Sequence, residues 1–326
     1  MYPELFELPF VHLTIKSYGL MMVIGFLAAV SLIRRLSRNI TPDPQLITNA
    51  ALYSLIGGVV GARLFFVIHY FDNFRSRPLE VLYIWEGGLE LLGGVVLAVA
   101  VILFYLIYHK LPIRRYLDIL AIGLMLALVF GRIGCFLNGC CYGKPTDLPW
   151  GVHFPYHSFA YLSQTDADPE RNRVEPQLKL PEEFFGYIGQ DGRRYAGLKP
   201  YDQLTERQKI KVTEGEYRCL PVHPTQLYAS AGAVFWCLML YLFWRRAQKA
   251  ESMKGPGKLF TRPGCTFPLM FILYGVSRLV LEFLRDDNPF EYAGLTISQL
   301  IGIGMIALGV AALTIFQLAK GKPHGN

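Results

Sequence analysis

The sequence predicts an all-α membrane protein, in which a seven-helix transmembrane bundle carries a small extracytoplasmic head made mostly of loop with short strands. Three observations predict this fold class. The 326 residues are 52% hydrophobic, which is more apolar than a soluble domain of this length usually is. Seven apolar runs are long enough to cross a hydrocarbon core of about 30 Å. One long polar segment, Lys144–Val222, interrupts these runs.

The apolar runs fall into two groups around the polar segment. They lie at Tyr18–Ile33, Leu46–Tyr70, Leu89–Tyr108, Tyr116–Ile133, Thr225–Trp244, Cys265–Phe283 and Ile297–Leu318. The first four helices belong to residues 1–133, the head to residues 134–223, and the last three helices to residues 224–326. Because no small-residue cleavage site follows the first run, we interpret it as a membrane helix and not as a signal peptide. No repeat-like halves are visible, which argues against a transporter or channel of that design.

The formal charge of +7 is a topology signal. If the N-terminus lies outside, the inside segments 34–45, 109–115, 245–264 and 319–326 hold 14 Lys and Arg residues, against four in the short outside segments. Such an excess in short loops marks the cytoplasmic side. We therefore expect a multi-pass protein of the cytoplasmic membrane, with its N-terminus outside and its C-terminus in the cytoplasm. Nucleic acid is not an expected partner.

The stretch Leu126–Gly143 contains the most informative polar residues. It begins as the apolar end of a membrane helix and then includes Arg132, Asn138, three cysteines and four glycines. An arginine at membrane depth costs a few kcal/mol, so it usually faces the protein interior and serves a site. Glycine-rich backbone at that depth is tolerated where it is buried in protein or lines a wet cavity. The stretch therefore predicts that an anionic group is bound at the mouth of the bundle.

Further ionisable residues lie in the apolar runs, with Arg63 in the second, Glu90 in the third, and Arg278 and Glu282 in the sixth. Arg278 and Glu282 are four residues apart, so they share one helix face. An internal ion pair that holds the helix in the bundle would explain them structurally. Three intramembrane arginines without enough carboxylate partners favour an anionic ligand instead.

His223, Gln226 and Tyr228 open the fifth run, and Tyr18 opens the first. A proline at the first helical position and a glutamine three residues after the cap are ordinary helix-start chemistry. Tyrosines at such positions are also common interfacial anchors. These structural explanations and a role in a binding site both remain open at this point.

Cys135, Cys140 and Cys141 cluster at the outer end of the fourth run. Small packing residues in a tight turn are the first interpretation, a disulfide is the second, and metal or redox chemistry is the third. The spacing matches neither a zinc ribbon nor a disulfide-stapled small domain. We therefore assign no metal and no cofactor from the sequence.

Taken together, the motifs resemble those of the prolipoprotein diacylglyceryl transferase family, in a divergent Cys-Cys-Tyr-Gly form. They are Tyr18-Gly-Leu-Met, Gly61-Ala-Arg-Leu, Trp85-Glu-Gly-Gly, Gly131-Arg-Ile-Gly, His223-Pro-Thr-Gln-Leu-Tyr and Arg278-Leu-Val-Leu-Glu-Phe. Each motif is weak alone, but their order along the chain is specific. Only the long outer segment has no clear correspondence.

The resemblance implies a lipid-transfer reaction. The family takes the diacylglyceryl group from phosphatidylglycerol and joins it to the lipobox cysteine thiol of a prolipoprotein signal peptide, which forms a thioether and releases glycerol phosphate. Membrane lipids and these signal peptides are the partners it implies. An arginine can bind phosphate oxygens through two parallel hydrogen bonds.

The resemblance also implies roles for individual residues. Arg132 corresponds to the family's phospholipid-binding arginine, Arg278 and Glu282 to its sixth-helix pair, and Tyr18, Asn138 and Gly143 to further essential positions. The expected catalytic residues are Arg132, Arg278, Glu282, His223 and Tyr18. The expected substrate-binding residues are Arg132, Asn138, Gly143, Arg63, Gln226 and Tyr228.

Four positions depart from the family's usual pattern. Leu92 stands where the family has a histidine that has been proposed as the base. Cys135 and Cys140 stand where asparagine and glutamate are common, and Ala229 replaces another glutamate. A catalytically inactive homologue that binds phospholipid or lipoprotein is therefore one alternative.

The identity of the proton acceptor stays open because leucine cannot accept a proton. His223, Glu282 and the leaving phosphate are the candidates that the sequence offers. A membrane thiol-redox protein is a further alternative, although the adjacent Cys140 and Cys141 do not form a Cys-x-x-Cys pair.

Overall fold

The structure, a computed structural model, describes residues 4–8, 13–41, 43–75, 77–83, 87–171, 173–189, 191–252, 262–290 and 294–318. Trp85 of the third motif and four of the basic residues used for the orientation, Lys254, Lys258, Lys320 and Lys322, lie outside the described residues.

The described residues form ten α-helices and two short hairpins. In chain order these elements are β1 (Glu4–Leu8), β2 (Leu13–Lys16), α1 (Ser17–Ser37), α2 (Gln45–His69), α3 (Phe71–Phe74), α4 (Leu91–Tyr108), α5 (Ile113–Asn138), α6 (Phe159–Thr165), β3 (Phe185–Ile188), β4 (Arg194–Leu198), α7 (Glu206–Thr213), α8 (Thr225–Ser252), α9 (Thr266–Glu282) and α10 (Ile297–Leu318).

Each of the seven predicted apolar runs coincides with one long helix, which confirms a mainly helical membrane protein. Six of these helices, α1, α2, α4, α5, α8 and α10, are long and apolar enough to cross a membrane. The seventh, α9, has 17 residues, which corresponds to about 26 Å at 1.5 Å per residue. It is one residue shorter than α4, the shortest of these six, so the count of seven spans stays a prediction.

Large apolar side chains cover the outward faces of the long helices. Phe104 on α4 is 71% exposed and Leu308 on α10 is 65% exposed. A water-soluble protein would bury most such side chains, whereas a bilayer accepts them. The helices therefore present a surface suited to lipid.

Contacts between Cα atoms divide the chain into two compact units. One comprises residues 1–26, 125–239 and 268–314, and the other comprises residues 27–124, 240–267 and 315–326. The first contains the whole polar segment Lys144–Val222, and we call it the head unit. The second contains α2, α4 and the residues between them, and we call it the loop unit.

The loop unit depends on close glycine packing between α2 and α4. A Cβ atom added to Gly61 would lie 2.5 Å from the carbonyl oxygen of Gly93, and one added to Gly94 would lie 2.9 Å from that of Gly58. Both distances are too short for a real contact, so the glycines are needed for the approach of the two backbones. In the same unit, the buried Asp118 accepts hydrogen bonds from the backbone amides of Gly264, Thr266 and Phe267 at the start of α9.

The polar segment folds into a compact head with its own core. Tyr161 and Phe184 are fully buried there, and Phe154, Leu198 and Val222 pack with them. The sequence Asp191-Gly192 between two apolar-aromatic runs predicts a hairpin, and β3 and β4 pair antiparallel on either side of that turn.

The head is mostly loop with the two short strands β3 and β4, and it also contains two short helices, α6 and α7. Thr205 and Gln208 form a reciprocal capping box at the start of α7, a signal that the sequence carried. The sequence Trp150-Gly-Val-His-Phe-Pro predicts a short strand, and the structure has only a single bridge there, between Val152 and Val222.

Candidate active site

A cavity of about 390 Å³ lies between α5, α8 and α9 of the head unit. Its wall is mostly apolar, with Leu128, Phe235 and Leu281 among its residues. The guanidinium groups of Arg132 and Arg278 provide its positive charge. An apolar cavity with a few polar groups is the usual form of a small-molecule site.

Neither cavity arginine has a carboxylate partner in the part of the chain that the structure describes. Among the described residues, no Asp or Glu oxygen lies within 4 Å of Arg132 or Arg278. Arg278 donates a hydrogen bond of 2.7 Å to Ser298 Oγ, and Arg132 lies against the hydroxyl of Tyr274. Arg278 and Glu282 therefore do not form the ion pair that their spacing allows. The unpaired charges leave the cavity suited to an anion.

Glu282 is buried in a network that positions the end of α9. Its Oε1 atom accepts hydrogen bonds of 2.6 Å from Asn288 Nδ2 and 2.7 Å from Thr296 Oγ1. Asn288 also donates to Ser298 Oγ, the acceptor of the Arg278 hydrogen bond. Glu282 does not border the cavity. Its carboxylate thus supports Arg278 through intermediate side chains.

Arg285 is a site residue that sequence reasoning missed. The sequence predicts that Arg285 is one of the four basic residues of the short outside segments. In the structure its side chain is only 6% exposed. It donates two hydrogen bonds, of 2.8 and 2.6 Å, to the carboxylate of Asp287, and its Nη1 lies 4.0 Å from Glu282. Its position three residues after Glu282, one helical turn further on, is the only sequence signal that could have revealed it.

The segment that follows α5 is held between two other parts of the chain. The amide of Gly143 donates to the carbonyl of His223, and the amide of Lys144 donates to that of Leu284. A Cβ atom on Gly143 would lie 2.6 Å from His223 Cβ and 2.8 Å from the carbonyl oxygen of Leu284. Gly143 is therefore required by close backbone approach, and its contribution to the site is positional.

The start of α8 holds the same segment from the other side. The fully buried Gln226 donates to the carbonyl of Cys140, and Thr225 donates to that of Cys141, both at 2.7 Å. Tyr228 borders the cavity. Its hydroxyl accepts a hydrogen bond of 2.7 Å from Trp150 Nε1 and lies 3.4 Å from Nδ1 of His223.

Tyr18 and Asn138 lie near the three clustered cysteines. Tyr18 packs against Gly134 of α5, and its hydroxyl is within electrostatic range of Arg132 and of the cysteine thiols. Asn138 ends α5 and interacts with Cys140. The head unit thus contains all the predicted site residues except Arg63, and Arg132, Arg278 and Tyr228 border its cavity.

Arg63 belongs to the loop unit and is already engaged there. Its guanidinium donates to the carbonyl oxygens of Glu80, Val81, Gly87 and Gly88, at 2.6 to 3.0 Å. These four contacts use most of its five donors. The arrangement supports a role in shaping the loop before α4, and direct substrate binding by Arg63 stays a prediction.

Head residues bind just beyond the end of α9. Arg171 donates a hydrogen bond of 2.8 Å to the carbonyl of Asp286, and Arg173 lies 3.3 Å from its carboxylate. Burial raises the pKa of Asp286 above its usual value even though both arginines oppose the shift. These contacts fix the segment that contains Arg285 against the head.

The fold and site define a helical membrane protein with a mostly apolar cavity whose fixed charge is positive. The family model described as prolipoprotein diacylglyceryl transferase matches residues 3–315. The chain therefore belongs to the prolipoprotein diacylglyceryl transferase family, and it is a multi-pass membrane transferase by that membership.

Three relatives illustrate the similarity, and each is named phosphatidylglycerol–prolipoprotein diacylglyceryl transferase. The protein from Clostridium tetani is 29% identical over 98% of this chain and 100% of its own length. The Synechococcus elongatus protein is 27% identical over 95% of this chain and 87% of its own length. The protein from Xanthomonas oryzae pv. oryzae is 28% identical over 93% of this chain and 87% of its own length.

Proposed function

We propose that this protein transfers the diacylglyceryl group of phosphatidylglycerol to the lipobox cysteine of prolipoprotein signal peptides. The observation that carries this proposal is the apolar cavity bordered by Arg132 and Arg278, neither of which is paired with a carboxylate among the described residues. A phospholipid has the matching chemistry, because it joins an anionic phosphate to acyl chains. The names of the relatives support the same substrates.

In the proposed reaction, the sulfur of the acceptor cysteine attacks the glyceryl carbon that bears the phosphate. A carbon–sulfur bond forms, the carbon–oxygen bond to phosphate breaks, and the thiol proton is lost. Glycerol phosphate leaves with the electron pair, so negative charge grows on its oxygen. Arg132 and Arg278 are placed to stabilise that charge, which fixed donors do most effectively where water is excluded. They cannot act as bases, since guanidinium does not deprotonate in proteins.

The other predicted site residues take supporting roles in this proposal. Glu282 positions Arg278 through Asn288 and Ser298. Gly143 and Gln226 hold the segment after α5. Tyr18 and Asn138 lie near the thiols, where the acceptor cysteine would approach. His223 could exchange a proton with the cavity through Tyr228, and the leaving phosphate is the other proton acceptor that we consider.

We further propose that seven helices span the cytoplasmic membrane, with α9 as the seventh, and that the head and the N-terminus face outward. The basic residues of the sequence support this orientation. In intact cells, a membrane-impermeant thiol reagent should label Asp191→Cys in the head and should not label Lys249→Cys near the end of α8. The unsubstituted protein provides the background from its native thiols. If only Lys249→Cys were labelled, the orientation would be the opposite of the one proposed.

The transfer itself is tested with purified protein, phosphatidylglycerol and a lipobox peptide. Mass spectrometry should show the peptide gaining one diacylglyceryl group through its cysteine, and a peptide with serine in that place should stay unmodified. Arg193→Gln is a matched control, since Arg193 is an exposed head arginine with a side chain 83% accessible. It should retain full activity. Binding of the lipid without any transfer would refute the proposed activity and leave a lipid-binding homologue.

A further inference from the structure

Three thiols converge near Arg132, one of the cavity arginines. Cys135 lies on the last turn of α5, and Cys140 and Cys141 lie in the turn that follows it. Their Sγ atoms all lie within 4.8 Å of one another, and no disulfide joins them. They are the one group of at least three potential metal ligands found among the described residues. Sequence spacing alone assigned no metal here, because it does not show that the three side chains point to one place.

The turn that carries the thiols is held in an uncommon conformation. Gly139 has φ of +79° and Cys141 has φ of +60°, in the left-handed region that non-glycine residues rarely adopt. The hydrogen bonds from Gln226 to the Cys140 carbonyl and from Thr225 to the Cys141 carbonyl clamp the turn. The clamp therefore holds the backbone from which two of the three thiols project.

The geometry of the cluster matches a metal ion that prefers sulfur. In a tetrahedral zinc site with Zn–S bonds of about 2.3 Å, the sulfur atoms are roughly 3.8 Å apart. Small movements from the present spacing, in which the Sγ atoms all lie within 4.8 Å of one another, would reach that value. Thiolate ligands select zinc or copper(I) over harder cations.

We propose that Cys135, Cys140 and Cys141 together bind one zinc ion, whose fourth position receives the acceptor cysteine of the substrate. Three protein ligands with one open position are characteristic of catalytic zinc. The fourth-ligand part of this proposal rests on the proposed transfer function. It also answers a question raised by Leu92, since zinc would supply the thiol activation for which that position offers no base.

The chemistry balances without an oxidant or reductant. A thiol that coordinates zinc is deprotonated, and its proton passes to water. The zinc-bound sulfur then attacks the glyceryl carbon as the bond to the phosphate oxygen breaks. The product is a neutral thioether, which is a weaker zinc ligand than a thiolate, so it leaves and the fourth position opens again.

The first test measures metal and thiols in protein purified without chelators. Elemental analysis should find one zinc per chain, and exchange for cobalt(II) should produce visible bands typical of tetrahedral thiolate coordination. Adding a lipobox peptide should shift those bands, whereas the serine peptide should not. Copper in place of zinc would overturn the zinc assignment. A disulfide among these three residues, detected by counting thiols before and after reduction, would overturn the metal site altogether.

The second test uses variants and metal removal. Cys135→Ser, Cys140→Ser and Cys141→Ser should each lose the metal and reduce transfer by about 100-fold or more, and Cys237→Ser on α8 should keep both. Because a serine variant can fail to fold, the unsubstituted protein is also stripped with a chelator and reloaded. Loss and recovery of activity should follow the zinc content.

The outcomes separate this proposal from the transferase proposal. Full transfer by the stripped protein or by a folded triple serine variant would overturn the zinc proposal and leave the transferase function standing. A protein that binds zinc and shows the peptide-dependent cobalt shift but never lipidates the peptide would support the metal site. In that case the transferase proposal is the one that fails.

Discussion

Arg278 on α9 and Arg285, just beyond its end, should respond to the same substitution in different ways. Arg278→Gln and Arg285→Gln each remove one positive charge and keep much of the side-chain stem. Arg278 borders the cavity and donates a hydrogen bond to the hydroxyl of Ser298. Arg285 binds both oxygens of Asp287 and faces Glu282 at 4.0 Å.

The magnitudes follow from these partners. Arg278→Gln loses at most one hydrogen bond of about 1 kcal/mol in stability, because it leaves no carboxylate unpaired. Loss of a charge-assisted contact to the leaving phosphate should reduce turnover by roughly 10² to 10³, which corresponds to about 3 to 4 kcal/mol in the transition state. Arg285→Gln leaves buried carboxylate charge uncompensated, and breaking such a pair usually costs about 3 to 5 kcal/mol of stability.

The assay compares thermal unfolding in detergent with transfer to a lipobox peptide, both on the same preparations. We expect Arg278→Gln to unfold near the temperature of the unsubstituted protein and to be nearly inactive. Arg285→Gln should unfold at a clearly lower temperature. Near-normal turnover of Arg278→Gln would show that the cavity charge is structural. An Arg285→Gln protein that is fully stable yet inactive would place Arg285 in the phosphate site and refute the distinction.

Three further substitutions test other parts of the structure. Gly143→Ala should lower stability by about 1 to 3 kcal/mol through overpacking against His223 and Leu284. The control Gly304→Ala should not, because there is open space around the Cβ position of Gly304. Equal unfolding temperatures for the two variants would contradict the close approach at Gly143. Leu92→His should change the transfer rate by less than about threefold, because Leu92 is 62% exposed and the arginines are expected to supply most of the acceleration. Activity that appears only in the histidine variant would mean that the natural chain is inactive. Asp118→Asn should lower the free energy of unfolding by about 1 kcal/mol, since it weakens the acceptor of three backbone amides at the start of α9. An unchanged unfolding midpoint would refute that capping role.

The membrane helices could be predicted from the sequence because bilayer thickness dictates the length of an apolar run. Each of the seven runs coincides with a long helix, and only α9 falls short of a full span. The hairpin of β3 and β4 was also predictable, since its turn residues lie between two apolar-aromatic runs. The pairing of β1 with β2 was missed, because the first residues were treated only as a polar start.

Side-chain partners between helices could not be predicted in the same way. The spacing of Arg278 and Glu282 places them on one face but does not say that Ser298 and Thr296, at the start of α10, will take their hydrogen bonds. That depends on how each helix is rotated about its axis, which a hydropathy pattern does not determine. The same limit hid the burial of Arg285, because a charged residue just beyond a span usually lies in water.

The positive charge of the site explains how a family member could work with leucine at position 92. In the proposed reaction the thiolate carries the negative charge before the attack, and the charge passes to the departing phosphate as the carbon–sulfur bond forms. Arg132 and Arg278 border the same cavity, and fixed positive charge beside a leaving group is most effective where water is excluded. A free thiol has a pKa near 8.5, so a small thiolate fraction is present at neutral pH without any base, and the proposed zinc ion would increase it. In this proposal, leaving-group stabilisation by the arginines and thiol activation by the metal together take the place of a base at position 92.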